Sequence, residues 1–353
     1  MQSKLVESRL PIPSLLLIAP FFFWGTAMVA MKGAIDHTTP LFLAGVRLVP
    51  AGLLVLLAAF LMGRRQPQTW QAWLWISLFA LVDGTLFQGF LAEGLVRTGA
   101  GLGSVMIDSQ PLAVALLALW FFGERIGLWG WLGLGMGIIG ISLLGLPDAW
   151  ILGGLGHGLA DAGQSLTLVS LVSLIQSLFQ NGQWLMLLAA LSMALGTVIS
   201  RFVSRHVDPI VATGWHMILG GIPLFAGSTF WEVNQWSGLS LPDWAALGYS
   251  TVFGSAIAYA LFFYFASSGS LTSLSSLTFL TPIFALAFGN LLLGEELTPV
   301  KWIGVSLSLL SIYLINQRDK LTKDLPPLEV RSEASIELVS LEEEVLKSRS
   351  ENY

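Results

Sequence analysis

Residues 289–303 read GNLLLGEELTPVKWI, and residues 119–132 read LWFFGERIGLWGWL. In both, an apolar run stops at Gly-Glu and another starts a few residues later. A Gly that tolerates the left-handed turn can end a helix. Thr298 then suits an N-cap and Pro299 a first helical turn. Glu295 and Glu296 are expected to favour the positive N-terminal end of the helix that follows. Gly123 and Glu124 are expected to play the part of Gly294 and Glu295 in the earlier copy. The stretch thus reads as punctuation between two apolar helices, and it occurs twice.

The copies extend well beyond it. Pro111 matches Pro282, Gly123-Glu124 matches Gly294-Glu295, and Trp131 matches Trp302, each at an offset of 171. Gly133, Gly137 and Gly140 match Gly304, Ser308 and Ser311 at the same offset, as Gly25-Thr26 matches Gly196-Thr197. Gly45, Arg47 and Gly52 match Gly214, His216 and Gly221 at an offset of 169. Two nearly equal offsets held across so many landmarks mark an internal duplication.

The composition says where such a chain lives. Of 353 residues 54% are hydrophobic and 11% charged, against about 25% charged in a soluble globular chain. Ten apolar segments approach the roughly 20 residues needed to cross a bilayer. They lie at about 15–35, 39–62, 73–96, 103–122, 128–146, 185–205, 209–230, 244–267, 272–292 and 299–316. They are too long and too continuously apolar for barrel strands. The expected fold is an all-α integral membrane protein with ten transmembrane helices. Lys4 and Arg9 precede the first apolar run, as in a signal peptide, but that run has no small-residue cleavage site and carries Trp24, so it reads as the first span.

Each duplicated unit holds five spans. An odd number makes the two copies enter the membrane from opposite sides, giving inverted-topology repeats, a transporter architecture in which two halves rock about a central site. Lys and Arg in the loops set the orientation. With the N-terminus inside, Lys4, Arg9, Arg64, Arg65, Arg125, Arg201, Arg205, Arg318 and Lys320 lie at or near the cytoplasmic side, and Lys32, Arg97 and Lys301 at or near the other. Both termini are therefore expected to be cytoplasmic. The domain plan is a cytoplasmic N-terminus at 1–14, a first repeat at 15–146, an extracytoplasmic connector at 147–184, a second repeat at 185–317 and a tail at 318–353. The connector stretch 165–180 spaces its apolar residues as an interfacial amphipathic helix. From residue 321 onward the tail carries eight acids against four bases, which reads as disordered.

The chain has no Cys, and its four His are scattered. Thiolate metal sites and disulfides are excluded, and no cofactor is expected. There are no paired catalytic carboxylates and no nucleotide-binding loop, which argues against a membrane enzyme, a primary pump and a nucleic-acid partner. A charge inside a bilayer costs at least about 2.5–3.5 kcal/mol and usually faces a cavity. Asp83 falls near the middle of the third span. Arg47 and Asp108 fall roughly 8–12 Å below the outer ends of the second and fourth, at about 1.5 Å per residue. Two readings stand level: a structural ion pair of Arg47 with one Asp, or a cavity site in which Arg47 holds a substrate carboxylate and an Asp carries a proton. Trp24, Gln88, Gln110, Tyr259, Tyr264 and Thr281 are candidates to line such a cavity. His216 stands in the place of Arg47 in the second half, where a hydrogen-bonded packing role is the plainer reading. Pro111 and Pro282 are expected to kink the fourth and ninth spans at matching positions. Gly133, Gly137 and Gly140 form a small-residue face for helix packing, with a homodimer contact as the lesser reading.

The ten spans, the paired five-helix units, WGTAMVAMKGAI in the first span, and a Pro followed by Gly-Glu at the end of the fourth and ninth spans resemble the EamA repeats of the drug/metabolite transporter superfamily. The resemblance covers about residues 15–317. It implies an inner-membrane carrier that exports amino acids or other small metabolites; the expected assembly is a monomer or a homodimer. It also implies a pathway built from the first, third, fourth, sixth, eighth and ninth helices. A sugar or nucleotide-sugar carrier of the same superfamily is the alternative, and a non-transporting scaffold or sensor stands behind it.

Overall fold

The structure, a computed structural model, describes residues 14–122, 127–145, 180–262 and 280–323. Gly123, Glu124, Tyr264, the stretch 165–179 of the connector, and nearly all of the N-terminus and tail lie outside them. Residues up to Arg318 form one compact unit. From Asp319 a second begins, of which only 319–323 are described.

The described elements are all helical. The first half holds α1 (Ser14–Ile35), α2 (Pro40–Leu61), α3 (Trp70–Phe79), a π-helical stretch π1 (Ala80–Leu86), α4 (Phe87–Arg97), α5 (Ala100–Ile107), α6 (Gln110–Phe122) and α7 (Leu128–Gly145). The second holds α8 (Gly182–Val203), α9 (Pro209–Trp231), α10 (Leu241–Tyr249), π2 (Ser250–Ile257), α11 (Leu280–Leu293) and α12 (Pro299–Lys323). Among the described residues, six stretches are long and apolar enough to cross a membrane: 16–35, 40–61, 70–97, 182–200, 209–231 and 241–262. α7, α11 and the first part of α12 are shorter apolar helices. The exposed side of α2 is apolar, with Leu53, Leu57 and Phe60 outward. Lipid tails rather than water suit such a face.

Local chemistry accounts for the boundaries. Pro40 and Pro209 open their helices at the first turn, where a missing N–H costs nothing. Asp208 caps α9 by accepting from the Ile210 and Val211 amides. Ser240 and Asp243 form a capping box at α10. Gly294, at φ +66°, ends α11 in the left-handed turn expected of it.

The halves interlock reciprocally. α1 packs on α11 and π2, while α8 packs on α4, π1, α5 and α6. Each half thus lays its first helix against the third and fourth spans of the other. α2 lies along α9 as the main seam between halves. The small faces of α7 and α12 meet inside the chain: Ser311 Oγ donates to the Gly133 carbonyl at 2.6 Å, and a Cβ on Gly140 would sit 2.6 Å from Ser308 Oγ. The lesser reading of that face as a homodimer contact gives way to this internal joint.

Two expectations are corrected. Pro111 does not bend a continuous helix. α5 stops at Ile107, Asp108 and Ser109 form a turn, and α6 starts at Gln110, so Pro111 sits in a first turn, where its ring fits. Glu295 does not serve the tenth span. Its carboxylate accepts from the Ala100 amide at 2.5 Å and the Gly101 amide at 2.9 Å. It therefore caps α5, in the other half. Thr298 and Pro299 do begin α12, with the Lys301 amide 3.4 Å from Thr298 Oγ1. For Pro282, the described helix begins two residues earlier, at Leu280.

Candidate functional site

Where the interlocked helices meet, the described residues line a partly open cavity of about 220 Å³. The first half contributes walls from α1, α2, α3, π1, α4, α5 and α6, and the second from α8, the 241–262 helix and α11. Trp24, Arg47, Asp83, Gln88, Asp108, Gln110, Tyr259 and Thr281 all line it, as does Pro111. His216 stands just behind the wall, reaching Asp83. Tyr264 lies outside the described residues.

Two π-helical turns frame the cavity, and nothing in the residue pattern announces them. Moved by 171 positions, π1 falls on 251–257, inside π2. A π turn inserts one residue into a helix and recurs at functional sites. Asp83 sits within π1, and Gly254, its counterpart at that offset, within π2. Extra residues of this kind leave the apolar run unbroken, so hydropathy carries no trace of them.

Arg47 is 4% exposed. One guanidinium nitrogen donates to Ser255 Oγ at 2.9 Å and another to Gln88 Oε1. Gln88 in turn bonds the Tyr259 hydroxyl. Arg47 Nε has no partner among the described residues, and Arg47 forms no ion pair there. The structural pair of Arg47 with an Asp is therefore not formed.

The two acids have other partners. Asp108 accepts from Ser104 Oγ at 3.0 Å, one turn back at the broken end of α5. Asp83 Oδ2 is 3.2 Å from His216 Nε2. His216 is 2% exposed, lies against the Phe79 ring at 4.3 Å, and has Nδ1 2.7 Å from the Thr213 carbonyl. Asp83 also leans on bare backbone: a Cβ on Gly196 would sit 2.5 Å from its Oδ1. The sequence-level pairing of His216 with Arg47 as positional equivalents holds no hint that His216 meets Asp83 instead.

Unpartnered polar atoms gather at this cavity. Among the described residues, seven buried side-chain polar atoms lack a hydrogen-bond partner. Four belong to cavity-lining residues: Trp24 Nε1, Arg47 Nε, Gln110 Oε1 and Thr281 Oγ1. Buried polar groups are normally satisfied, so a cluster of exceptions around one hollow has the character of a binding surface. Trp24 and Arg47 offer donors, Asp108 and Gln110 offer acceptors, and Thr281 offers either.

Known proteins share this plan. The model of the EamA-like transporter family matches the chain twice, at residues 12–146 and 180–317. An uncharacterized transporter of Synechocystis sp. is 62% identical over 307 residues, 87% of this chain and 90% of that protein. A WAT1-related chloroplastic protein of Arabidopsis thaliana is 50% identical over 304 residues, 85% of this chain and 68% of that one. The uncharacterized inner membrane transporter YedA of Escherichia coli is 24% identical over 308 residues, 85% and 89% of the two chains. A solved crystal structure aligns with a TM-score of 0.58 at 16% identity, covering 85% of this chain and 96% of that one, a likeness of fold alone. With its duplicated half matched on both sides of the connector and its helices interlocked about a shared cavity, the chain belongs to the EamA-like transporter family of multi-pass membrane proteins.

Proposed function

We propose that the protein is a secondary carrier that releases small carboxylate-bearing metabolites, amino acids foremost, across an inner membrane by alternating access. The observation that carries the reading is Arg47: a buried cation with an unpartnered Nε, on a cavity between the halves, with no acid paired to it. A buried charge normally keeps a counter-charge, and a substrate carboxylate would supply it. Donors at Trp24 and Arg47 suit a carboxylate, and acceptors at Asp108 and Gln110 suit an ammonium group. A cavity of about 220 Å³ is below the roughly 300–1,000 Å³ of pockets for drug-sized ligands. That size favours a small metabolite over a nucleotide sugar. The bias of loop charges supports cytoplasmic termini.

The test is counterflow of a radiolabelled mixture of the twenty L-amino acids in vesicles holding the purified protein. Wild type should exchange label, and Arg47→Gln should lose that exchange while staying folded and membrane-inserted. Equal exchange by Arg47→Gln would overturn the role of Arg47. No exchange by wild type, with exchange of sugars instead, would turn the reading to the sugar class.

A further inference from the structure

The break between α5 and α6 leaves oxygens short of donors. The Ser109 amide turns back to the Met106 carbonyl and the Leu112 amide to the Ser109 carbonyl. The Val105 and Asp108 carbonyls thereby lose the donor four residues on. Pro111 has no N–H to give the Ile107 carbonyl. Two side-chain oxygens are unpartnered as well, Gln110 Oε1 at the break and Thr281 Oγ1 on α11, and Thr281 is 5% exposed. Asp108 bonds Ser104 Oγ and has no ion pair among the described residues. α11 packs along α5, and a Cβ on Gly101 would lie 2.8 Å from Leu286 Cδ2. From that contact Asp108 lies about 10.5 Å and Thr281 about 7.5 Å along the antiparallel helices, at about 1.5 Å per residue. The two come to a similar depth, and Ser104, Ile107, Asp108, Gln110 and Thr281 all line the same cavity.

We propose that these oxygens form a sodium-ion site, with the Asp108 carboxylate as its one charged ligand. The other ligands are the Ser104 and Thr281 hydroxyls, the Gln110 amide oxygen and the Ile107 carbonyl. Ser104 keeps lone pairs for an ion while donating to Asp108. The set is all oxygen, without His or Cys, so it suits a hard cation and not the softer transition metals. One carboxylate matches one positive charge, whereas calcium sites draw on several. Carbonyls freed where a spanning helix breaks are the ligands that carriers with discontinuous helices offer to Na+. A carboxylate also supplies the strong field that favours Na+ over the larger K+. A buried carboxylate without a counter-charge is costly, and the ion removes that cost.

In one respect the proposal rests on the carrier reading above. The oxygens that hold Na+ are those that suit a substrate ammonium group, so ion and substrate occupy them in turn. Arg47 stands apart, its guanidinium bonded to Ser255 and Gln88 and not to Asp108. A zwitterion spanning Arg47 and Asp108 therefore displaces the ion, and the ion returns when the substrate leaves. No covalent bond changes. An inward sodium gradient would then favour release of substrate outward. The site also draws ligands from both halves, α5 and α6 of one and α11 of the other, so occupancy acts on a joint between them.

Equilibrium binding of radioactive sodium to the purified protein in a choline buffer tests the site and needs no substrate. Wild type should bind the ion saturably, and equimolar potassium should displace little of it. Asp108→Asn should lose saturable binding. Thr281→Val, which keeps the shape and removes the hydroxyl, should weaken it about tenfold, the worth of one contact to a charged group. No saturable binding by wild type, or equal displacement by potassium, would overturn the proposal. So would wild-type binding by Asp108→Asn, or by Thr281→Val should Asp108→Asn fail to fold. The mixture of twenty L-amino acids should lower the bound sodium. A protein that exchanges label in counterflow yet keeps its sodium in that mixture would overturn the shared occupancy, leaving the carrier reading and the ion site intact. Absence of counterflow would instead count against the amino-acid reading, and the sodium titration would still decide the site.

Discussion

A single missing Cβ holds Asp83 in place. The Gly196 backbone lies so close that an added methyl would reach 2.5 Å from Oδ1, and the α8 backbone cannot yield freely within a packed helix. Gly196→Ala should therefore push Asp83 away from His216. Overpacking of this kind costs roughly 1–3 kcal/mol, to be read as a lower thermal midpoint in detergent. Much of this site was legible at the residue level. Charges and amides inside apolar runs are costly, so Arg47, Asp83, Gln88 and Asp108 stood out, and all line one cavity. Their partners were not legible. Which side chains meet depends on helix rotation, and π1 changes that rotation without leaving a mark in hydropathy. Hence an Arg47–Asp pair looked as natural as the Asp83–His216 pair that forms.

At the scale of elements, the Gly-Glu motif does more than separate two helices. Gly294 turns the chain, and Glu295 reaches across to the first amides of α5. Those amides lack partners within their own helix, and the carboxylate also meets the positive end of its dipole. Glu232 does likewise for α2, accepting from the Leu41 and Phe42 amides and from Thr39 Oγ1. The second half thus holds two helix starts of the first. Glu295→Gln keeps the shape but loses the charge, so it should cost about 0.5–2 kcal/mol, the range for weakened caps, measured by thermal unfolding. The tight joint of α7 with α12 predicts a larger effect. Gly140→Val places bulk where a Cβ already meets Ser308 Oγ at 2.6 Å and the Gly304 carbonyl at 2.9 Å. It should prevent that approach and lower the yield of folded protein, while Gly135→Val, where a Cβ meets nothing within 4 Å, should not. Sequence spacing identified Gly140 as a packing glycine. It misplaced Glu295, because a cap on a distant helix is a tertiary contact and the nearest helix start in sequence is only the simplest guess.

For the whole molecule, the contacts between halves sort by the two ends of the bundle. Glu295 to α5, Glu232 to α2 and His37 Nδ1 to Asp243 at 2.9 Å all join at the end carrying the turn at 36–39. Arg64 to Asp208 at 3.2 Å and Trp215 Nε1 to Gln66 at 2.8 Å join at the opposite end. This sorting is what helices of alternating direction require, and under the proposed orientation, read from the excess of loop Lys and Arg, the second end is the cytoplasmic one. The absence of Cys makes the assignment directly measurable, since one introduced thiol is the only one present. Gln68→Cys and Ser237→Cys suit the purpose: both are exposed and lie outside the helices, and neither has a positive φ that a Cys would strain. A membrane-impermeant maleimide added to intact cells should label Cys at 237 and spare Cys at 68, with labelling of the latter only after permeabilisation. The reverse pattern would invert the molecule, placing both termini outside and reversing the side from which the cavity takes its substrate. Labelling of both sites in intact cells would mean that they share a side, which would contradict the alternation on which the inverted repeat depends.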